Sequence, residues 1–396
     1  MSRNLQHTGY CTNVHAGADL AKTRANLERY ALDVKRQVSP NEPMGVGLWL
    51  TALAARQMRA EAKVAEFGDW LAAVGLTPFT FNGFPYGDFH EKIVKHRVYE
   101  PTWADRRRVD YTLDLIAIQH ALLPVGMEGS ISTLPICWGS PRPSDDILNQ
   151  AGRHLVQVAE HLAQLERETG RLIYVCIEPE PGCLLQRKGD FLWFFRNHLW
   201  PLGDETILRR HLRVCHDVCH SVVMFEPQED VLRGYQGAGI LVGKVQASSA
   251  IQVDFATLVA EHRVEAISQL RAFAEDRYLH QTMVRAPGGE PVFHEDLPAL
   301  IASCGDPRCL TSEWRIHFHV PIYLESFGRL SSSRDDIEAC LAACRKHSEV
   351  RHFEVETYAW GVLPAELRRA SLADGIAEEM RWFLARDHEL DFPKKI

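Results

Sequence analysis

The sequence predicts an α/β protein, a (β/α)8 barrel with inserted loops. Apolar runs of five to eight residues alternate with long amphipathic stretches, which is the pattern of repeated βα units. Polar residues recur at the C-terminal ends of those runs, where barrel enzymes assemble their sites. The 396 residues, 46% hydrophobic and 24% charged, suffice for one large core, since α/β barrels run to roughly 250 residues and beyond as one unit.

Taken in order, residues 9–14 form the first strand, and Asp19 caps a helix over 19–38 that stops before Ser39-Pro40. A strand over 44–50 leads into a helix over 50–74 closed by Gly75. The strand 77–82 precedes the helix 103–123, and the strand 130–137 precedes the helix 145–168, which Gly170 closes. The strand 172–178 is followed by a helix over 191–200, and the strands 212–217 and 242–247 by a helix over 257–276. A strand over 315–320, a helix over 334–348, a strand over 352–357 and a helix over 363–386 complete the chain. Nine strands are one too many for an eight-stranded barrel. The run 315–320 is the suspect, because it follows the Pro/Gly-rich segment 285–306 with no clean helix between. The chain therefore reads as a single barrel domain over 1–396, with a lid loop at 84–103 and an insertion around 277–325.

A formal charge of −8 gives no electrostatic footprint for polyphosphate, so nucleic acid is not expected as a partner. Met1-Ser-Arg-Asn-Leu-Gln-His lacks the apolar stretch of a signal peptide, and no run is long enough for a membrane span. Ten scattered cysteines without a CxxC pair read as reduced thiols, and a cytoplasmic location is expected.

Period-two alternation selects the inward side chains. Tyr174, Cys176 and Glu178 share one strand face, as do Cys215 and Asp217, Lys244, Gln246 and Ser248, and Glu354 and Glu356. With those faces inward, Glu178, Asp217, Gln246 and Glu356 converge from four strands. Three carboxylates and an amide oxygen are hard ligands, favouring Mn²⁺, Mg²⁺ or Co²⁺ and still admitting Zn²⁺. Without a cation, carboxylates packed so closely would repel one another. In Val214-Cys-His-Asp-Val-Cys-His220 the interleaved cysteines suggest zinc superficially, but Cys215 shares the inward face with Asp217 and reads as a buried structural thiol. His317 and His319 place two imidazoles on one strand face, an arrangement common at zinc and iron sites.

The series Ile-Glu178-Pro, His-Asp217-Val-Cys-His220-Ser, Val-Gln246-Ala-Ser and Val-Glu356-Thr resembles the metal-binding strands of the xylose isomerase-like superfamily of sugar isomerases and epimerases. The ketose 3-epimerases of that superfamily carry His at the third ligand position, where this chain has Gln246. Phe81-Asn-Gly-Phe-Pro-Tyr-Gly-Asp-Phe-His90 and Val94-Lys-His-Arg-Val-Tyr-Glu-Pro-Thr-Trp103 further resemble the EboE-type metabolite-traffic proteins, a designation that defines no reaction.

The resemblance implies a divalent ion held by Glu178, Asp217, Gln246 and Glu356, with His317 or His319 as replacements for the missing imidazole. Glu178 and Glu356 become the acid–base pair for moving a proton next to a carbonyl of a sugar, sugar phosphate or cyclitol. His220 orients a substrate hydroxyl, and Lys244, His15 and Asn82 are further pocket contacts. The lid, with His90, Lys95, His96 and Arg97, could hold an anionic group such as phosphate. The superfamily also makes a dimer or tetramer reasonable. Two other readings compete: a metal-dependent phosphodiester hydrolase of the endonuclease-like branch, and a non-catalytic metabolite-binding or traffic protein.

Overall fold

The structure, a computed structural model, describes residues 7–60 and 63–391. The signal-peptide reading of residues 1–6 and two residues of the predicted helix 50–74 lie outside the described residues. Parallel strands β1 (Thr8–Tyr10), β2 (Met44–Trp49), β3 (Leu76–Asn82), β4 (Gly129–Thr133), β5 (Ile173–Ile177), β6 (Leu212–Asp217) and β7 (Val242–Ala247) form the first seven staves of a barrel. Strands β8 (Ile251–Asp254), β9 (Thr282–Arg285), β10 (Val292–His294), β11 (Glu313–Ile316), β12 (Ser326–Phe327) and β13 (Leu330–Ser332) come next in the chain and form a second sheet. The last stave is β14 (His352–Val355).

The barrel sheet runs in the order β1-β14-β7-β6-β5-β4-β3-β2, and a parallel bridge between Cys11 and Gly47 joins its two ends. Such a sheet is covered on both faces, which explains why its strands read as near-continuous buried runs. Helices pack outside, among them Arg106–Leu122, Asp145–Thr169 and Leu372–Asp391. The expected punctuation is present. The Asp19 side chain accepts from Lys22 N at 2.8 Å, and Gly75 and Gly170 close their helices at φ 71° and 70°.

Polar groups fill the barrel interior. Lys244 Nζ lies 2.6 Å from Glu354 Oε2 with neither side chain exposed. Glu354 fits because position 47 is glycine: a Cβ there would meet Glu354 Oε1 at 1.4 Å.

The second sheet is antiparallel throughout, in the order β10-β9-β11-β8-β13-β12, and lies between β7 and β14 in sequence. The run expected at 315–320 belongs here: Glu313–Ile316 pairs with β8 and β9, so the barrel keeps eight strands. The inserted unit spans 251–332, wider than the expected 277–325, and takes in the helix Ala260–Leu270. A helix that the periodicity did not indicate, Gln228–Gly237, follows β6. The C-terminal helix starts at Leu372 instead of 363, after a stretch containing Pro364 and the single turn Ala365–Leu367.

Candidate active site

At the C-terminal ends of the barrel strands lies a cavity whose polar end is formed by Glu178, His220, His317, His319 and Glu356. Asp217 supports it from β6. The Asp217 side chain caps the short helix Val218–Val223, accepting from His220 N at 2.8 Å, and this fixes the three-residue spacing seen in the sequence. The same oxygen, Oδ1, accepts from Ser248 Oγ at 2.8 Å. Oδ2 is left buried without a partner.

Glu356 arrives from the end of β14, and its Oε1 accepts from Asn13 Nδ2 at 2.7 Å and Asn82 Nδ2 at 3.0 Å. Glu178 follows β5 and leaves Oε2 without a partner. Glu178, Asp217 and Glu356 each offer an oxygen within 4.8 Å of the others. Burial first, and then the neighbouring carboxylates, push the Glu178 and Glu356 carboxyls well above the usual range.

Three imidazoles complete this end, and their tautomers follow from their partners. His220 Nδ1 lies 2.8 Å from the Pro179 carbonyl, His319 Nδ1 2.8 Å from the Glu356 carbonyl, and His317 Nδ1 2.8 Å from Gln281 Oε1. Carbonyl and amide oxygens only accept, so each Nδ1 carries a proton and Nε2 is the ring nitrogen left for other partners. His220 Nε2 and His317 Nε2 are 3.1 Å apart. His319 Nε2 is unpartnered and lies 4.0 Å from Asp217 Oδ2. Burial lowers the basicity of His317 strongly and brings His319 to about 4, keeping both rings neutral. Buried lone pairs on Glu178 Oε2, Asp217 Oδ2 and His319 Nε2, with nothing to satisfy them, suit a divalent cation.

The other expected contacts fall elsewhere. Lys244 belongs to the barrel interior, paired with Glu354, and does not line the cavity. Gln246 is fully buried, its Oε1 accepts from the Cys215 thiol at 3.0 Å, and its unpartnered atom is Nε2, a donor and hence no ligand. His15 stacks on Tyr30 at 4.8 Å and meets the Tyr10 hydroxyl at 3.0 Å, outside the cavity wall. His90 also stays outside, with Nε2 2.6 Å from the Asn13 carbonyl. The lid cations expected to hold phosphate are matched by carboxylates: Lys95 by Asp296 at 2.6 Å, His96 by Glu295 at 3.3 Å, and Arg97 by Glu91. Asn82, His220, His317 and His319 do line the cavity.

No protein-family profile matches the chain, and no curated protein is similar to it in sequence. Among solved structures, a xylose isomerase-like TIM barrel protein from Mycobacterium smegmatis in complex with magnesium superposes with a TM-score of 0.52 at 9% identity, covering 96% of each chain. The fold is a xylose isomerase-like (β/α)8 barrel. Other similar structures are the IolI protein with a zinc atom (TM-score 0.49, 11% identity, 98% of this chain and 99% of that one) and a D-allulose 3-epimerase from Methylomonas sp. (TM-score 0.47, 10% identity, 99% of each).

On this xylose isomerase-like barrel several cavity residues went unassigned in the sequence. Asn13 and Glu180 stand in the same strand-end positions as the assigned residues and were within reach of that signal. Tyr99, Tyr278 and Leu279 come from the lid and the insertion, where no strand periodicity marks them. Among the described residues, no helix is long and apolar enough to cross a membrane.

Proposed function

We propose that this protein is a metal-dependent isomerase or epimerase acting on a sugar or cyclitol by proton transfer next to a carbonyl. The observation that carries the reading is the convergence of Glu178, Asp217 and Glu356 with the unpartnered His319 Nε2 beside the cavity. In this reading Glu178, Asp217, His319 and Glu356 hold the ion, and His319 takes the place that Gln246 does not fill. A divalent ion, Mn²⁺, Mg²⁺, Co²⁺ or Zn²⁺, supplies Lewis-acid stabilisation of the charge that develops on substrate oxygens.

The remaining work falls to the chain's own groups. Glu356, oriented by Asn13 and Asn82 through Oε1, takes a proton from the carbon beside the carbonyl. Glu178, on a different strand, returns one from the other side. Burial and the neighbouring carboxylates raise the basicity of both groups above that of an ordinary carboxylate, which favours their holding and exchanging a proton. His220, held by the Pro179 carbonyl and by His317, lines the cavity where substrate hydroxyls would lie. An EboE-type metabolite pathway is the setting that the segment 81–103 supports.

A second reading, phosphodiester hydrolysis, is favoured by the clustering of His220, His317 and His319, a nitrogen-rich end that could take a further ion. Carboxylate matching of the lid cations weighs against a phosphate-bearing substrate.

Solvent deuterium incorporation into candidate ketoses and inososes tests the proposal. Wild type loaded with Mn²⁺ should exchange the carbon-bound hydrogen, and Glu178→Gln and Glu356→Gln should abolish exchange while remaining folded. No exchange above background with any candidate would favour the traffic-protein alternative.

A further inference from the structure

The cavity is chemically lopsided. Besides the carboxylates and imidazoles, its lining includes an apolar group, Phe84, Phe89, Val94, Val98, Tyr278 and Leu279. These come from segment 84–103 and from the chain just ahead of β9. Three polar groups nearby are already engaged. Tyr278 donates its hydroxyl to the Phe89 carbonyl at 3.1 Å. The Tyr99 hydroxyl donates to Glu180 Oε1 at 2.7 Å and accepts from Gln281 Nε2 at 2.9 Å. The Lys95 ammonium is held by Asp296.

This wall is also fixed in place. The backbone N–H groups of Val94 and Lys95 both donate to the Arg277 carbonyl, at 2.8 and 3.0 Å, clamping the lid to the inserted unit. The Phe89 ring packs on Tyr278 and Tyr358 at centroid distances of 4.9 and 5.4 Å. A substrate seated there meets this apolar surface. A hydroxyl pressed against it would leave water and gain no hydrogen bond. An apolar group would be driven there. A bare sugar or cyclitol carries hydroxyls around its whole edge and suits only one end of the cavity.

We infer that the substrate is a polyol or sugar bearing a compact apolar substituent, which seats against the Phe84–Leu279 wall while the oxygens face Glu178 and Glu356. The inference rests on the proposed function for the polar end and specifies the other end. Aryl and short branched alkyl groups share the required chemistry.

Equilibrium binding of myo-inositol, its 1-O-benzyl ether and its 1-O-(3-methylbutyl) ether to the full-length protein tests it, with and without Mn²⁺ and with metal content measured on the same samples. At least one ether should bind more tightly than inositol by roughly tenfold or more, and the ratio between the ethers distinguishes aryl from alkyl. Val98→Ser and Leu279→Ser should each shrink the ether preference with metal content unchanged. Equal affinities, a preference for bare inositol, or no binding of any of the three overturns the inference. Failure to take up Mn²⁺ would count against the metal-centred reading instead, and the ether preference would still be readable in the metal-free protein.

Discussion

His319 points an unpartnered Nε2 at the equally unpartnered Oδ2 of Asp217, 4.0 Å away. One residue ends a barrel strand, and the other lies just past β11 in the inserted unit. His319→Ala should lower Mn²⁺ affinity by at least about tenfold, since even partners outside the coordination sphere are worth roughly 10- to 100-fold. Gln246→Met, similar in volume, should leave affinity near wild type. Metal titration by calorimetry checks both. The reverse pattern would return the ligand role to Gln246.

Metal uptake should release protons. Glu178 and Glu356 are pushed up by burial and by neighbouring carboxylates, so the metal-free centre keeps protons that an ion must displace. Affinity should weaken as the pH falls, and calorimetry in buffers of different ionisation enthalpy counts the protons released. Uptake with no proton release would show that the carboxyls are already ionised.

Lys244 and Glu354 form an ion pair with neither partner exposed. Lys244→Met leaves a buried carboxylate without compensation and should cost about 3–5 kcal/mol. Adding Glu354→Gln should recover much of that loss, because the uncompensated charge is gone. Urea unfolding of the two variants measures the difference, and a cost below about 1 kcal/mol would exclude the pair as a structural necessity.

Glu379 is buried behind the end of β14, where its carboxyl accepts from Thr357 Oγ1 at 2.6 Å, Trp360 Nε1 at 3.0 Å and Ile322 N at 3.1 Å. Burial raises its pKa from 4.5 to about 7 against the opposing pull of these donors. A carboxyl raised on folding contributes stability that is fully present below 4.5 and is lost as pH rises through about 7. The swing is roughly 3 kcal/mol. Glu379→Gln should therefore be less stable than wild type at pH 5 and close or reverse the gap at pH 8. A gap that does not change with pH would mean that Glu379 does not titrate in this range.

The barrel was legible because its strands are buried on both faces and end in polar residues, two signals that parallel sheets produce together. Alternation correctly turned Glu178, Asp217 and Glu356 toward one place. It also turned Lys244 and Gln246 inward, but it does not report which groups are already partnered: Lys244 pairs with Glu354, and Gln246 accepts from Cys215. The second sheet was harder to read, since β8 to β13 are two to four residues long and too short for periodicity. His317 and His319 were visible as a pair. Their meeting with Asp217 depends on antiparallel pairing of β11 with β8 and β9, which no local pattern encodes. The lid cations misled for a similar reason, since Asp296 and Glu295 reach them from far along the chain.

The inserted unit lines the cavity through His319 and through Tyr278 and Leu279. Its hold on the lid runs through the Arg277 carbonyl, the Tyr278 hydroxyl and the Lys95–Asp296 pair. A tilt of that unit against the barrel would carry all of these groups together. Admitting a molecule and relaxing the nitrogen side of the proposed centre would then be one mechanical event, with the second sheet acting as its lever.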